Sequence, residues 1–513
     1  MLTHDASLSP LAAAGAPQRP HAVVIGSGFG GLAAAVRLGS RGWRVTVLEK
    51  LDQPGGRARV HQLDGYTFDA GPTVITAPHL FEELWALCGR RLADEVEMRP
   101  VAPFYRIRFD DGTRFDYSGD AAAMRDAVAA LAPGDVAGYE AFLRTSREIY
   151  EVAFERLAHQ PFGSWGDMAR VLPDLLRLQA WRSVYSMAAR HVRDPKLRTV
   201  LSFQSLLVGG NPFTTTSVYC LIAALERRWG VHFPVGGTGR LVRGLVGLIE
   251  GQGGRVQCNA GVEEILAEGG KARGVRLASG AVLPADIVVC NADSASAYRH
   301  LLPARHRKRW TDRRIERARY SMSLFVWYFG TRRQHPEIVQ HTIALGPRYR
   351  ELLTDIFQRQ RLASDFSLYL HRPTATDPAL APPGHDSFYV LAPVPHLGSG
   401  TNWREQAEPF RQAVQRRLQA TLLPNLQDEL TVSMVLTPQQ FQDELGSFRG
   451  AAFGLEPVLT QSAWFRPHNR SEELDNLFLV GAGTHPGAGL PGVLSSARVL
   501  DTVVPPAEAF VHG

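Results

Sequence analysis

The chain has 513 residues, 45% of them hydrophobic and 21% charged, a balance that excludes a fibre, a mini-protein and general disorder. It is longer than a single core supports, so two domains joined by chain crossovers are expected. The formal net charge of +6 rests almost wholly on arginine, since Lys50, Lys196, Lys271 and Lys308 are the only lysines; an anionic surface suits such a chain without being required by it.

Residues 1–20 are rich in Ala and Pro and lack the basic and apolar regions of a signal peptide, so they read as a disordered tail. From His21 the pattern is a buried strand (Ala22 to Ile25), a glycine-rich turn, an alanine-rich helix and a second strand (Arg44 to Leu48), which is one βαβ unit. Phe104 to Tyr117 alternates and turns at Asp111-Gly112 as a hairpin. Residues 120–230 read as mostly helical, broken near Pro133-Gly134, Pro161 and Asp194-Pro195. Strands resume at Arg255 to Asn259, pass through a hairpin at Ser279-Gly280 and end in the buried run Asp286 to Cys290. A mixed segment follows, with strands at Ser323 to Phe329 and Ser387 to Ala392 and a helix near Arg404 to Leu422. One more strand, Leu477 to Val480, leads through glycines to a closing helix from about Val493.

Cys88, Cys220, Cys258 and Cys290 stand far apart with no C-x-x-C pair. Disulfides, metal sites and iron–sulfur clusters are therefore not expected, and a reducing compartment is the simplest home. No apolar run reaches the ~18 residues that a membrane span needs, so any membrane association is expected to be peripheral.

The first turn reads Gly26-Ser27-Gly28-Phe29-Gly30-Gly31, a G-x-G-x-x-G match between strand and helix. Glycine there permits a tight turn, backbone approach to a pyrophosphate and close helix packing, while the helix start offers N–H groups to phosphate. Glu49 ends the next strand, where a carboxylate accepts hydrogen bonds from an unphosphorylated ribose, which disfavours NADP. Alone the fingerprint is weak, and a turn without ligand is the competing interpretation; strand, helix and acid in register favour a dinucleotide. Pro54-Gly55-Gly56-Arg57 then sets a guanidinium and bare backbone beside the second phosphate, and Leu477 to Thr484 repeats the strand-then-glycine design. Together these favour FAD over NAD.

With these motifs in view, the chain from His21 to about Val499 resembles the bacterial-type phytoene desaturases, within the flavin amine oxidase-like superfamily. The resemblance rests on Phe68 to Ile75, Ser205 to Phe213, Tyr219 to Phe233, Gln461 to Pro467 and Val480 to Val493. It implies an α/β fold: a Rossmann-like FAD-binding domain from residues 21–90, 235–300 and 440–513, and an inserted α+β substrate domain with a helical membrane-facing part from 91–234 and 301–439. The implied FAD contacts are Gly26, Gly28, Gly31, Glu49, Gly56 and Arg57, then Gly71, Pro72, the backbone near Val262, Gly483 and Val493. One departure is Gln53, where the family commonly has Lys or Arg; Lys50 is the candidate to replace that phosphate contact.

The implied reaction inserts trans double bonds into an apolar carotenoid, with 15-cis-phytoene as substrate and neurosporene- or lycopene-type products. Hydride passes to flavin N5, a proton leaves the neighbouring carbon, and oxygen or a quinone reoxidises the flavin. Asp167, three residues before Arg170, is the candidate proton acceptor, because an i, i+3 pair can hold a carboxylate ionised beside a greasy channel; most such pairs are solvent-facing, and His485 is the rival. Two segments suit a membrane surface at the cytoplasmic face: Leu172 to Tyr185 as an interfacial helix, and the basic run Arg305, Arg307, Lys308, Arg309, Arg313, Arg314, Arg317 and Arg319 around Trp310. No nucleic-acid motif accompanies that run. The alternatives are a desaturase or isomerase of a C30 or hydroxylated carotenoid, and a non-enzymatic isoprenoid-chain binding protein.

Overall fold

The computed structural model describes residues 19–510. Two residues of the expected tail are tied to the fold: Arg19 Nε donates to Gly42 O at 2.8 Å and Arg44 N to Pro20 O at 2.9 Å. The rest of the expected tail, residues 1–18, lies outside the described residues.

The βαβ unit forms as read. The strands His21–Ile25 and Arg44–Leu48 pair in parallel and flank the helix Phe29–Ser40. They lie within a five-stranded parallel sheet, ordered Leu477–Leu479, Ile287–Cys290, His21–Ile25, Arg44–Leu48 and Arg255–Gln257. Every residue of His21–Ile25 and Ile287–Cys290 is buried, as continuous apolar strands covered on both faces must be. Ala33, Ala34 and Ala35 are fully buried; their small side chains let the first helix lie close to its neighbours, including the closing helix Leu490–Val503. That helix starts three residues before the expected Val493, and Pro491 fits in its first turn because no N–H there has an intrahelical partner.

A second sheet has seven strands: Leu430–Leu436, Ser323–Thr331, Asp386–Val394, Leu368–His371, His341–Ala344, Tyr105–Arg108 and Arg114–Tyr117, in that spatial order. The hairpin near 104–117 is thus not free-standing; it extends this sheet through a parallel pairing of Tyr105–Arg108 with His341–Ala344. Side chains along Ser323–Thr331 alternate between faces. Phe325, Trp327 and Phe329 pack with Phe410, Val414 and Leu418 of the helix Trp403–Thr421, whereas Leu324 and Val326 turn toward a large cavity.

The helical stretch includes Val136–Tyr150, Trp165–Arg177, Val184–His191 and Leu221–Trp229. The segment expected as one helix from Leu172 to Tyr185 is instead the end of Trp165–Arg177, a turn through Gln179 at φ 54°, and the start of Val184–His191. An antiparallel three-stranded sheet, opening with Val262–Glu268, lies beside the parallel sheet. Among the described residues no helix is long and apolar enough to cross a membrane.

Candidate active site

One continuous cavity of about 1140 Å³ lies between the two large sheets, more than the ~300–1,000 Å³ typical of a single small-ligand site. Its two ends differ in chemistry.

At the first end the backbone sets the shape. Gly26 has φ +89°, which a side chain rarely tolerates, and a Cβ on Gly31 would fall 2.0 Å from Gly26 O. The turn also meets the distant C-terminal loop: a Cβ on Gly30 would lie 3.0 Å from Gly481 Cα. Glu49 is buried and oriented, its Oε2 accepting from Ser27 N at 2.9 Å and Ser27 Oγ at 2.6 Å, and its Oε1 from Leu51 N at 3.0 Å. A lone pair remains on Oε1 for a ribose hydroxyl.

Arg57 donates from Nη2 to Ser447 Oγ at 2.8 Å, while its buried Nε has no partner. Burial lowers its pKa, and Asp293 opposes that shift. An orphaned guanidinium N–H beside glycine-lined backbone and a buried ribose-type acid is a donor set that fits a dinucleotide pyrophosphate. Lys50 donates instead to Asp443 O at 3.1 Å, and Gln53 Nε2 to Val60 O at 3.1 Å.

Of the expected flavin contacts, Gly26, Gly28, Glu49, Gly56 and Arg57 line the cavity, as do Gly71, Pro72, Val262 and Val493. Gly31 and Gly483 do not. They stand behind the wall, where each lets another group approach: a Cβ on Gly483 would lie 2.5 Å from Ser294 Oγ. Asn291, not singled out from the sequence, also borders this end and donates from Nδ2 to Gly26 O at 3.4 Å.

At the other end the wall is aliphatic and aromatic. Phe203, Leu206 and Val208 come from the segment Phe203–Val208, Tyr219 and Ile222 from the next, and Leu324, Val326, Tyr369 and Tyr389 from the seven-stranded sheet. The helix Trp165–Arg177 lies across this end. Met168, Val171 and Leu175, at spacings of three and four, face the cavity, whereas Trp165, Leu172 and Leu176 are 66%, 51% and 55% exposed.

Asp167 and Arg170 are not at the cavity. Ser164 and Asp167 form a capping box: Asp167 Oδ2 accepts from Ser164 N and Ser164 Oγ, both at 2.9 Å. Those bonds hold its carboxyl below the usual range despite partial burial. Arg170 lies 3.2 Å from Asp167 with its side chain 80% exposed. The expected acid–base pair is therefore placed as a helix start, because the same i, i+3 spacing that pairs charges also serves an N-cap. His485 does line the cavity; its Nε2 donates to Leu157 O at 3.0 Å, Phe162 meets it edge-on at 4.6 Å, and burial takes its pKa to about 4.

Arg466 has no counterpart in the sequence reading beyond its place in a motif. It is fully buried, donates to Ala482 O at 2.8 Å, and a Cβ on Gly487 would lie 3.2 Å from its Cζ. A buried cation thus stands directly behind the C-terminal glycine loop.

A parallel nucleotide-type sheet whose two glycine turns converge on one cleft defines a flavin-dependent oxidoreductase, and the chain belongs to the flavin containing amine oxidoreductase family, whose model matches residues 29–499. FAD is the cofactor this cleft takes. Among curated relatives, the chain is 48% identical over 506 residues to the neurosporene-forming phytoene desaturase of Cereibacter sphaeroides, covering 98% of this chain and 96% of that one. It is 50% identical over 477 residues to the lycopene-forming phytoene desaturase of Pseudescherichia vulneris, covering 93% and 97%. A solved oxidoreductase from Methanosarcina mazei shares the fold at TM-score 0.62 and 17% identity, over 94% of this chain and 100% of that one.

Proposed function

We propose that the chain is a FAD-dependent phytoene desaturase, inserting conjugated trans double bonds into 15-cis-phytoene to give neurosporene- or lycopene-type products. The observation that carries this reading is a dinucleotide-shaped, glycine-lined end opening without interruption into an apolar end. A hydrocarbon offers no polar handle, so its binding must come from buried apolar area. When bound, the flavin supplies the hydride acceptor; oxygen or a quinone reoxidises it. The chain's part is to orient substrate and exclude water.

The flavin contacts we assign are Gly26, Gly28, Glu49, Gly56, Arg57, Gly71, Pro72, Val262 and Val493, with Gly31 and Gly483 shaping the backbone around them. Residues 21–90, 235–300 and 440–513 make up the FAD-binding domain, and 91–234 and 301–439 the substrate domain.

A long hydrocarbon must be drawn from a bilayer, and we assign the exposed face of Trp165–Arg177 to peripheral docking at the cytoplasmic surface. The Trp165 ring lies 4.0 Å from that of Trp464, over which Arg309 sits at 4.3 Å, so the helix and the basic run form one surface. That run is not uniformly free. Arg305, Arg307, Arg309 and Arg319 approach Glu264, Asp312, Glu472 and Glu456 respectively, and Trp310 is buried. Arg314 lies over the Trp310 ring at 3.9 Å, and the exposed Lys308, Arg313 and Arg317 remain for anionic headgroups.

The test is incubation of the purified protein, FAD and liposomes carrying 15-cis-phytoene. Longer-wavelength polyene bands are expected; unchanged phytoene, with another carotene consumed, would overturn the substrate assignment.

A further inference from the structure

Six carboxyl side chains reach the wall of the cavity, those of Glu49, Asp174, Glu226, Asp293, Glu316 and Glu444. Five are engaged by cations or by backbone and hydroxyl donors. Glu49 holds the first glycine turn. Asp293 accepts from Ser296 N at 3.0 Å and faces Arg57. Glu316 pairs with Arg299 and Arg449, Glu444 with Arg59, and Asp174 with Arg156 and Arg177.

Glu226 is different. It is fully buried, and no cation lies in ion-pair range among the described residues. Oε1 accepts from Tyr105 Oη at 2.7 Å, while Oε2 is buried without a partner. The residue sits on Leu221–Trp229, one turn beyond Ile222, which packs with Val208 and with Ala488 of the C-terminal glycine loop. Four residues of helix advance ~6 Å and return to the same face. Glu226 therefore belongs to the wall of the cavity one helical turn from the residue that meets the loop at which the flavin is expected.

We propose that Glu226 is a catalytic residue, the acceptor of the proton lost from the substrate carbon next to the one that gives up hydride. This rests on the desaturase reading. One C–H bond breaks with its electron pair and hydrogen leaving as hydride, for which the flavin would supply the acceptor when bound. The electrons of the neighbouring C–H bond become the new C=C bond, and its proton passes to Oε2, turning the carboxylate into the acid. The acid is the form the site favours, since burial raises the pKa to about 8 although the Tyr105 hydroxyl and the nearby Gln204 amide oppose the rise. The other titratable groups that face it, Tyr105 and Tyr117, are pushed well above their ordinary 10 by burial and by Glu226 itself. His485, whose Nδ1 also lacks a partner, is the weaker base at about 4.

The experiment compares wild type, Glu226→Gln and Glu226→Asp as FAD-loaded proteins mixed anaerobically with 15-cis-phytoene liposomes, following flavin bleaching from about pH 6 to about pH 9. Gln keeps the Tyr105 hydrogen bond and the volume, and flavin content checks that each variant is folded. The expected result is bleaching slowed ~10²–10⁴-fold in Glu226→Gln, partly restored in Glu226→Asp. In wild type the rate should rise tenfold per pH unit and level near 8. Independently of turnover, an infrared carboxylic-acid C=O band should fade in wild type as pH passes about 8 and be missing from Glu226→Gln. Bleaching within about threefold of wild type in Glu226→Gln, or a pH profile unchanged by it, overturns the assignment alone. Wild type that phytoene never bleaches overturns the desaturase reading with it.

Discussion

Glu226→Gln should make the protein more stable as it makes it slower. An acid raised from its ordinary 4.5 to about 8 by burial binds its proton more tightly folded than unfolded. Below about 4.5 both states are protonated and folding loses nothing; as pH climbs toward about 8, the unfolded chain ionises while the folded one cannot, so stability falls. At 1.36 kcal/mol per pH unit the full penalty is about 5 kcal/mol above pH 8 and about 3 kcal/mol at pH 7. Gln escapes it but leaves an amide N–H where Oε2 stood without a partner, which costs ~1–3 kcal/mol. That cost does not vary with pH, so the slope is the decisive quantity. In urea titrations the difference between variant and wild type should grow in the variant's favour by about 2.5 kcal/mol between pH 5 and pH 7. Parallel pH dependences would refute the claim that Glu226 is folded as a neutral acid.

Four other outcomes are expected. Gly31→Ala places a methyl 2.0 Å from Gly26 O, and the purified protein should lose its flavin absorbance. Arg57→Met removes a charge-assisted hydrogen bond worth ~1.5–3 kcal/mol, so FAD should bind roughly 10–100-fold more weakly in a fluorescence titration. Asp167→Ala should cost ~1 kcal/mol of stability as a lost cap, while retaining desaturation; a fall of ~10²-fold or more would return Asp167 to the chemistry. Leu172→Asp with Leu176→Asp should leave the denaturation midpoint nearly unchanged, because both sites are exposed. The same pair should abolish co-sedimentation with liposomes and turnover of liposomal substrate.

What could be read from the chain was what neighbours in sequence decide. The first turn, its flanking strand and helix, and Glu49 form one local unit; glycine at Gly26 answers its own φ of +89°, and glycine at Gly31 answers the carbonyl of Gly26 five residues before it. The alternation of Ser323–Thr331 was equally legible, although not which face would meet the cavity. Short strands such as His341–Ala344 and Leu368–His371 escaped notice because four residues carry too little period to distinguish them. The spacing at Asp167 is ambiguous in sequence because a capping box and an ion pair share it.

The sequence by itself determined the nucleotide-type turn, the strands that bury it and the abundance of apolar surface. Only the tertiary structure decided that Arg57 would meet Ser447 across 390 positions, that Trp165 would join the basic run through Trp464, and that Glu226 would be left with Tyr105 and no cation. Burial and partner identity at such sites are sums over elements brought together from far along the chain, so no local pattern encodes them.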